Sequence, residues 1–101
     1  MDAKEPVFNI DTQAYVKNHV MDFIKLSIRD IKVAKELEAF ITQNASVDWI
    51  SRENIQSKLI SGIKRILIQN GYTQMVAKKT ADSIIRQLRD GALRKDEHAI
   101  S

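Results

Sequence analysis

The chain has no cysteine, one proline, three glycines and six aromatic residues among its 101 residues. The missing cysteine excludes disulfides, thiolate nucleophiles and any zinc site built on sulfur. It suits a reducing compartment without proving one. So few glycines and prolines argue against a sandwich or barrel, which needs many turns, and favour helices. Long apolar runs are also absent: aliphatic stretches stop at three residues, as in Ile66-Leu67-Ile68, far short of the about 20 that a transmembrane helix needs. The N-terminus, Met1 to Pro6, has no basic region followed by an apolar stretch, so it does not read as a signal peptide, and a cytoplasmic location follows by default.

What is present is ordinary apolar content (44%), slightly high charge (29%) and an uneven charge distribution. Residues 1–50 hold 6 Lys/Arg against 8 Asp/Glu, net −2; residues 51–101 hold 10 against 5, net +5. A basic half can meet phosphates or an acidic protein face, or it can simply be a solvated helix surface.

Apolar periodicity predicts an all-α, compact bundle of about four helices, near 12–26, 29–43, 52–69 and 74–90. A lead-in of 1–10 precedes a single helical domain of 11–91, and 92–101 reads as a charged tail. Asp11 or Thr12 is positioned to cap the first helix, whose stripe is Tyr15, Val16, Val20, Phe23, Ile24 and Ile28. Ser27 or Asp30 can cap the second, with Ile31, Ala34, Leu37, Phe40 and Ile41 on one face. Ser51 can cap the third, where Ile55, Leu59, Ile63, Ile66 and Leu67 form the stripe, and Asn70-Gly71 is its stop signal. Thr73 can cap the fourth, with Val76, Ala77, Ala81, Ile84, Ile85 and Leu88 inward and Gly91 as its end.

Groupings that carry chemistry are missing from the sequence. Gly62, Gly71 and Gly91 are too scattered for a phosphate loop, and there is no nucleophile elbow and no His-Glu-x-x-His. His19 lies beside the first apolar stripe, where a satisfied, partly buried role outweighs a ligand or base; His98 is at the other end of the chain. Most acids are interleaved with Lys and Arg, and Asp48 beside Trp49 makes neither an acid/base pair nor a divalent metal site. The expectation is therefore a binding domain with no catalytic residue, no metal and no cofactor.

Lys58, Arg65, Lys78, Lys79, Arg86 and Arg89 are the candidate docking or phosphate contacts. Lys58 and Arg65, seven apart, share a helix face, and Arg86 and Arg89, three apart, can do the same. The match to a helix-turn-helix is weak, and the basic half lacks the interleaved aromatics of single-strand binders apart from Tyr72. Trp49 is either an interface anchor or a plug beneath a helix start; burial habits favour the plug.

From Ile31 onward the residues carry a resemblance. The run Val47-Asp48-Trp49-Ile50-Ser51-Arg52-Glu53-Asn54-Ile55-Gln56-Ser57-Lys58-Leu59 resembles the "(V/I)DW…RE.V.AKL" signature of the C-terminal helical domain of the type I restriction enzyme R (motor/endonuclease) subunit. Ile63-Lys64-Arg65-Ile66-Leu67 is similar to the "(V/I)KR.L" that follows, Gly71-Tyr72 to its "GY", and Gln87 to a Gln in a late helix. Ala34-Lys35-Glu36-Leu37 with Ile41 is similar to the preceding "A.EL…I" helix. The resemblance covers about 31–90. It departs at Thr73-Gln74, where the family usually continues "GYPP", and at Leu88-Arg89, where an acid often follows the Gln.

That resemblance implies a non-catalytic domain that docks an ATP-dependent motor and nuclease onto the methyltransferase core of a type I restriction complex, either as a piece of a longer chain or as a free-standing domain. It implies that Asp48, Trp49, Lys58, Leu59, Lys64, Arg65, Gly71, Tyr72 and Gln87 are mostly shape-setting, with the exposed basic residues left for docking. The alternative is a small basic DNA-binding accessory or regulatory protein making non-specific DNA contact.

Overall fold

A computed structural model describes the backbone of residues 12–46 and 49–100 and the side chains of 14–46 and 49–93. Four helices follow one another: α1 (Thr12–Ser27), α2 (Ile31–Asn44), α3 (Glu53–Gln69) and α4 (Gln74–Ile100), with a single 3₁₀ turn, Trp49–Ser51, before α3. Among the described residues there is no strand, and no helix is long and apolar enough to cross a membrane. α1 packs on α2, α2 on α3, α3 on α4, and α4 closes the ring on α1. Short links join α1 to α2 and α3 to α4, as antiparallel neighbours require.

The hydrophobic stripes explain this closure. Val16, Val20, Ile24 and Ile28 of α1 and its exit are buried at intervals of four. They meet Val33, Ala34, Leu37 and Ile41 of α2, Leu59, Ile63 and Leu67 of α3, and Ala77, Ala81, Ile84, Ile85, Leu88 and Ala92 of α4. Each large aliphatic group removed from water contributes about 1.5–3 kcal/mol, so the shared core outweighs local helix propensity. Two stripe residues depart from expectation: Ile31 is 54% exposed and Val76 46% exposed. Both stand in the first turn of their helix, ahead of the level at which the core closes.

The helix ends show which punctuation acts. Asp30 caps α2, its Oδ1 accepting from the Lys32 N–H at 2.9 Å. Thr73 precedes α4, its Oγ1 accepting from the Val76 N–H at 3.3 Å and its carbonyl from Ala77 at 2.9 Å. After α3, Gly71 has φ 97°, the Tyr72 N–H donates to the Leu67 carbonyl at 3.0 Å, and the Gly71 N–H donates to Ile68 at 3.1 Å. These are the paired bonds of a Schellman motif, which only a residue without a Cβ adopts cheaply.

Other expectations are corrected. Thr12 lies inside α1 rather than before it, and Asp11 falls outside the described residues. Ser51 belongs to the 3₁₀ turn; α3 starts after Arg52, whose side chain makes no capping bond. Gly91 does not end α4. Gly71 alone among the glycines has positive φ, and Leu88 and Ala92, four apart, carry the buried stripe past Gly91, so the helix continues through the expected tail to Ile100.

Candidate functional site

The motif residues divide into a structural set and a surface set. Trp49 is fully buried, so the plug reading holds. It sits in the 3₁₀ turn, and the Gln56 side chain, one turn into α3, donates to the carbonyls of Trp49 at 3.3 Å and Ile50 at 2.5 Å. Gln56 thereby ties α3 to the turn, adding a second donor to the Trp49 carbonyl, which also accepts from the Arg52 N–H at 3.2 Å, and pairing the Ile50 carbonyl. Nothing in the sequence singles it out, because a Gln as the fourth residue of a helix carries no distinctive signal. The Trp49 indole Nε1 is buried without a hydrogen-bond partner. Asp48 lies outside the described residues.

Leu59 is fully buried and Tyr72 is half-buried against the core. Gly71 forms the turn between α3 and α4. Gln87 is half-buried on α4, donates to the Ser83 Oγ at 3.1 Å, and borders a depression with Tyr15, Phe23, Asp90 and Gly91. A Cβ at Gly91 would collide with the Tyr15 hydroxyl, so the missing side chain lets α1 approach α4. His19 is 39% exposed, stacks on Tyr15 at 4.5 Å between ring centroids, and places Nδ1 3.7 Å from Asp22. The partly buried position is the one expected of it.

The basic candidates stay on the surface but do not form a single cluster. Lys58, Arg65, Lys78, Lys79 and Arg86 are exposed; Lys64 and Arg89 are half-buried. Arg86 and Arg89 come together on α4, where with Asp82 and Ile85 they face Gln56 and Ile60 of α3 across a groove of about 290 Å³. Arg89 Nε also lies 3.6 Å from Asp90 Oδ1. Lys64 and Arg65 border a shallow depression of about 310 Å³ with Ser61, Ile68 and Gln69. Lys58 lines neither of these.

Helical periodicity marked inward residues, and so missed the apolar ones left outside. Leu26, Ile31, Ile68, Met75 and Val76 are the exposed large hydrophobics among the described residues. All flank the α1–α2 and α3–α4 links. The Asn70 Nδ2, in the second link, donates to Glu36 Oε1 of α2 at 3.3 Å, which places both links at one end of the bundle. Scattered exposed apolar residues need no explanation, but gathered ones mark contact surfaces. No group of three His, Cys, Asp or Glu among the described residues is placed to hold a metal ion.

A family model described as "Type I restriction enzyme HindI endonuclease subunit-like, C-terminal" matches residues 16–92. The match takes in the resemblance read from residue 31 onward and extends it upstream through most of α1, where the sequence carried no nameable motif. No curated protein and no solved structure matches the chain.

Proposed function

Because the chain belongs to the family of C-terminal domains of HindI-like type I restriction endonuclease subunits, we propose that it is an interaction domain that helps seat such a subunit on the methyltransferase core of its restriction complex. The observation that carries this reading is the family match together with a surface that sets solvent-facing apolar side chains beside cations. Ile68 borders the same depression as Lys64 and Arg65, and Met75 precedes Lys78 and Lys79 by one turn. Interfaces are built from such mixtures, with an apolar centre and a polar rim.

In this reading the domain contributes binding, needs no cofactor and works in the cytoplasm, and the motor and nuclease chemistry belongs to other parts of the subunit. Lys58, Arg65, Lys78, Lys79, Arg86 and Arg89 are the cations available for docking, while Trp49, Leu59, Gly71 and Tyr72 keep the scaffold in shape.

Native mass spectrometry of the chain mixed with the purified methyltransferase core of the same restriction system tests the proposal. A stoichiometric complex at micromolar concentration is expected, and no complex overturns it. Titration with duplex DNA at two salt concentrations separates the DNA-binding alternative. Tight binding that weakens steeply with salt would move the assignment to DNA, because released counterions scale with phosphate contacts.

A further inference from the structure

Gln87, Asp90 and Gly91 stand three and four apart on α4, so they share one stripe of that helix. Tyr15, His19 and Phe23 stand four apart on one face of α1. Gly91 decides how the two faces meet. With no Cβ there, the tips of two α1 rings close on its backbone: the place a Cβ would take lies 3.1 Å from Tyr15 Cζ and 3.3 Å from Phe23 Cζ. His19 backs the Tyr15 ring from the next turn of α1, at 4.5 Å between ring centroids. The two rings thus wall a single depression of about 360 Å³, whose other described lining residues are Gln87, Asp90 and Gly91.

The chemistry of this depression is the reverse of the two on α3. Those are lined by Lys64 and Arg65 or by Arg86 and Arg89. Here the described lining holds a carboxylate and no cation. Gln87 commits its amide N–H to the Ser83 Oγ at 3.1 Å, which leaves its side-chain carbonyl oxygen as an acceptor. The Asp90 side chain is 45% exposed, and its contact with the Arg89 Nε, at 3.6 Å, is too long for a hydrogen bond. Arg89 itself lines the depression on the other flank of α4, toward α3, so the Asp90 carboxylate keeps its hydrogen-bonding capacity. Aromatic walls with two acceptors and no cation are complementary to a flat cation that carries several N–H groups.

We propose that the α1–α4 depression receives the guanidinium group of an arginine presented by a partner protein. Its charge meets Asp90 in charge-assisted hydrogen bonds, and a further N–H reaches the Gln87 carbonyl oxygen. Its stem and plane pack on the Tyr15 and Phe23 rings. Lysine suits the site less well, because its compact, strongly hydrated ammonium cannot offer a carboxylate two parallel N–H groups. A nucleic acid does not suit it at all, since Asp90 repels phosphate. The inference rests on the docking reading for the source of the arginine, and adds to the docking cations an acceptor site on another flank of the bundle. It also gives Gln87 a role that packing does not demand, because that side chain is half-buried and bonded within its own helix.

The test titrates the labelled full chain, followed by amide chemical shifts, with three probes: N-acetyl-arginine amide, N-acetyl-lysine amide and N-acetyl-citrulline amide, the last an uncharged isostere of arginine. The arginine probe is expected to give saturable shifts at Tyr15, Phe23, Gln87, Asp90 and Gly91, the lysine probe weaker ones and the citrulline probe none. Asp90→Asn should weaken the arginine response at least about tenfold, because it removes the charged acceptor. No shift at these residues, an equal response to lysine or citrulline, or an arginine response that survives Asp90→Asn overturns the inference. The variant, checked for helix content by circular dichroism, is then mixed with the methyltransferase core. If the core binds wild type and variant equally, the arginine site falls and the docking reading stands. If the core binds neither while the arginine probe fills the depression of the wild type, the docking reading falls and the site assignment stands.

Discussion

The ring of Phe40 on α2 lies against the bare backbone of Gly62 on α3, so that a Cβ at position 62 would overlap Cζ, Cε2 and Cε1 of that ring. Gly62 is buried and sits mid-helix, where glycine costs about 1 kcal/mol relative to alanine. The structure retains it because the α2–α3 interface closes over it.

Gly62→Ala should therefore destabilise the domain despite its better helix propensity. Overpacking typically costs about 1–3 kcal/mol, which exceeds the propensity gain, so the urea midpoint should fall. Phe40→Leu in the same chain should recover part of the loss. A stabilised Gly62→Ala single variant would show that the ring swings aside freely.

Gly71→Ala tests a different effect, since nothing lies within 4 Å of its Cβ position and only the backbone, at φ 97°, resists. The expected loss is about 1 kcal/mol, with Gly71→Asn less harmful because Asn tolerates the left-handed region. Thermal unfolding of the two variants side by side measures the difference, and equal midpoints for Ala and wild type would contradict it.

Trp49 allows shape and polarity to be separated. Trp49→Ala should cost about 3–5 kcal/mol through the cavity it opens. Trp49→Phe should cost much less, because it deletes a buried N–H that has no partner and whose burial already carries a penalty of about 1–3 kcal/mol. Denaturation curves giving equal losses for Phe and Ala would contradict that account.

Capping predicts smaller, local losses. Thr73→Ala and Asp30→Ala each remove an oxygen that accepts an orphan N–H at a helix start, and each should cost about 1 kcal/mol. Amide exchange in the first turns of α2 and α4 reports each change separately.

Gln56→Ala probes the link between the 3₁₀ turn and α3. Loss of its bonds to the Trp49 and Ile50 carbonyls should destabilise by about 1–2 kcal/mol and quench or shift Trp49 fluorescence. An unchanged emission spectrum with unchanged stability would mean that the backbone bonds and apolar contacts of the turn hold it without Gln56.

The sequence alone determined the helical class, the four helices and most of the core, because the period of buried residues such as Val16, Val20, Ile24 and Ile28 is a local property of the chain. It also determined Gly71 and Thr73 as punctuation, since a left-handed φ and a capping oxygen are demands on single residues. It carried the family through short ordered motifs from Ala34 to Gln87, though not the earlier part of the match through α1. Only the tertiary structure decided that Gly91 is a contact rather than a stop, because Tyr15 and Phe23, far away in sequence, occupy the space its Cβ would need. Likewise only packing decided that Ile31, Ile68 and Met75 face solvent, that Trp49 is enclosed, and that Arg86 and Arg89 share a groove with Ile60 and Gln56. Periodicity fixes which residues share a face of one helix. Which part of that face a neighbouring helix covers depends on how four helices meet, and no single segment encodes that.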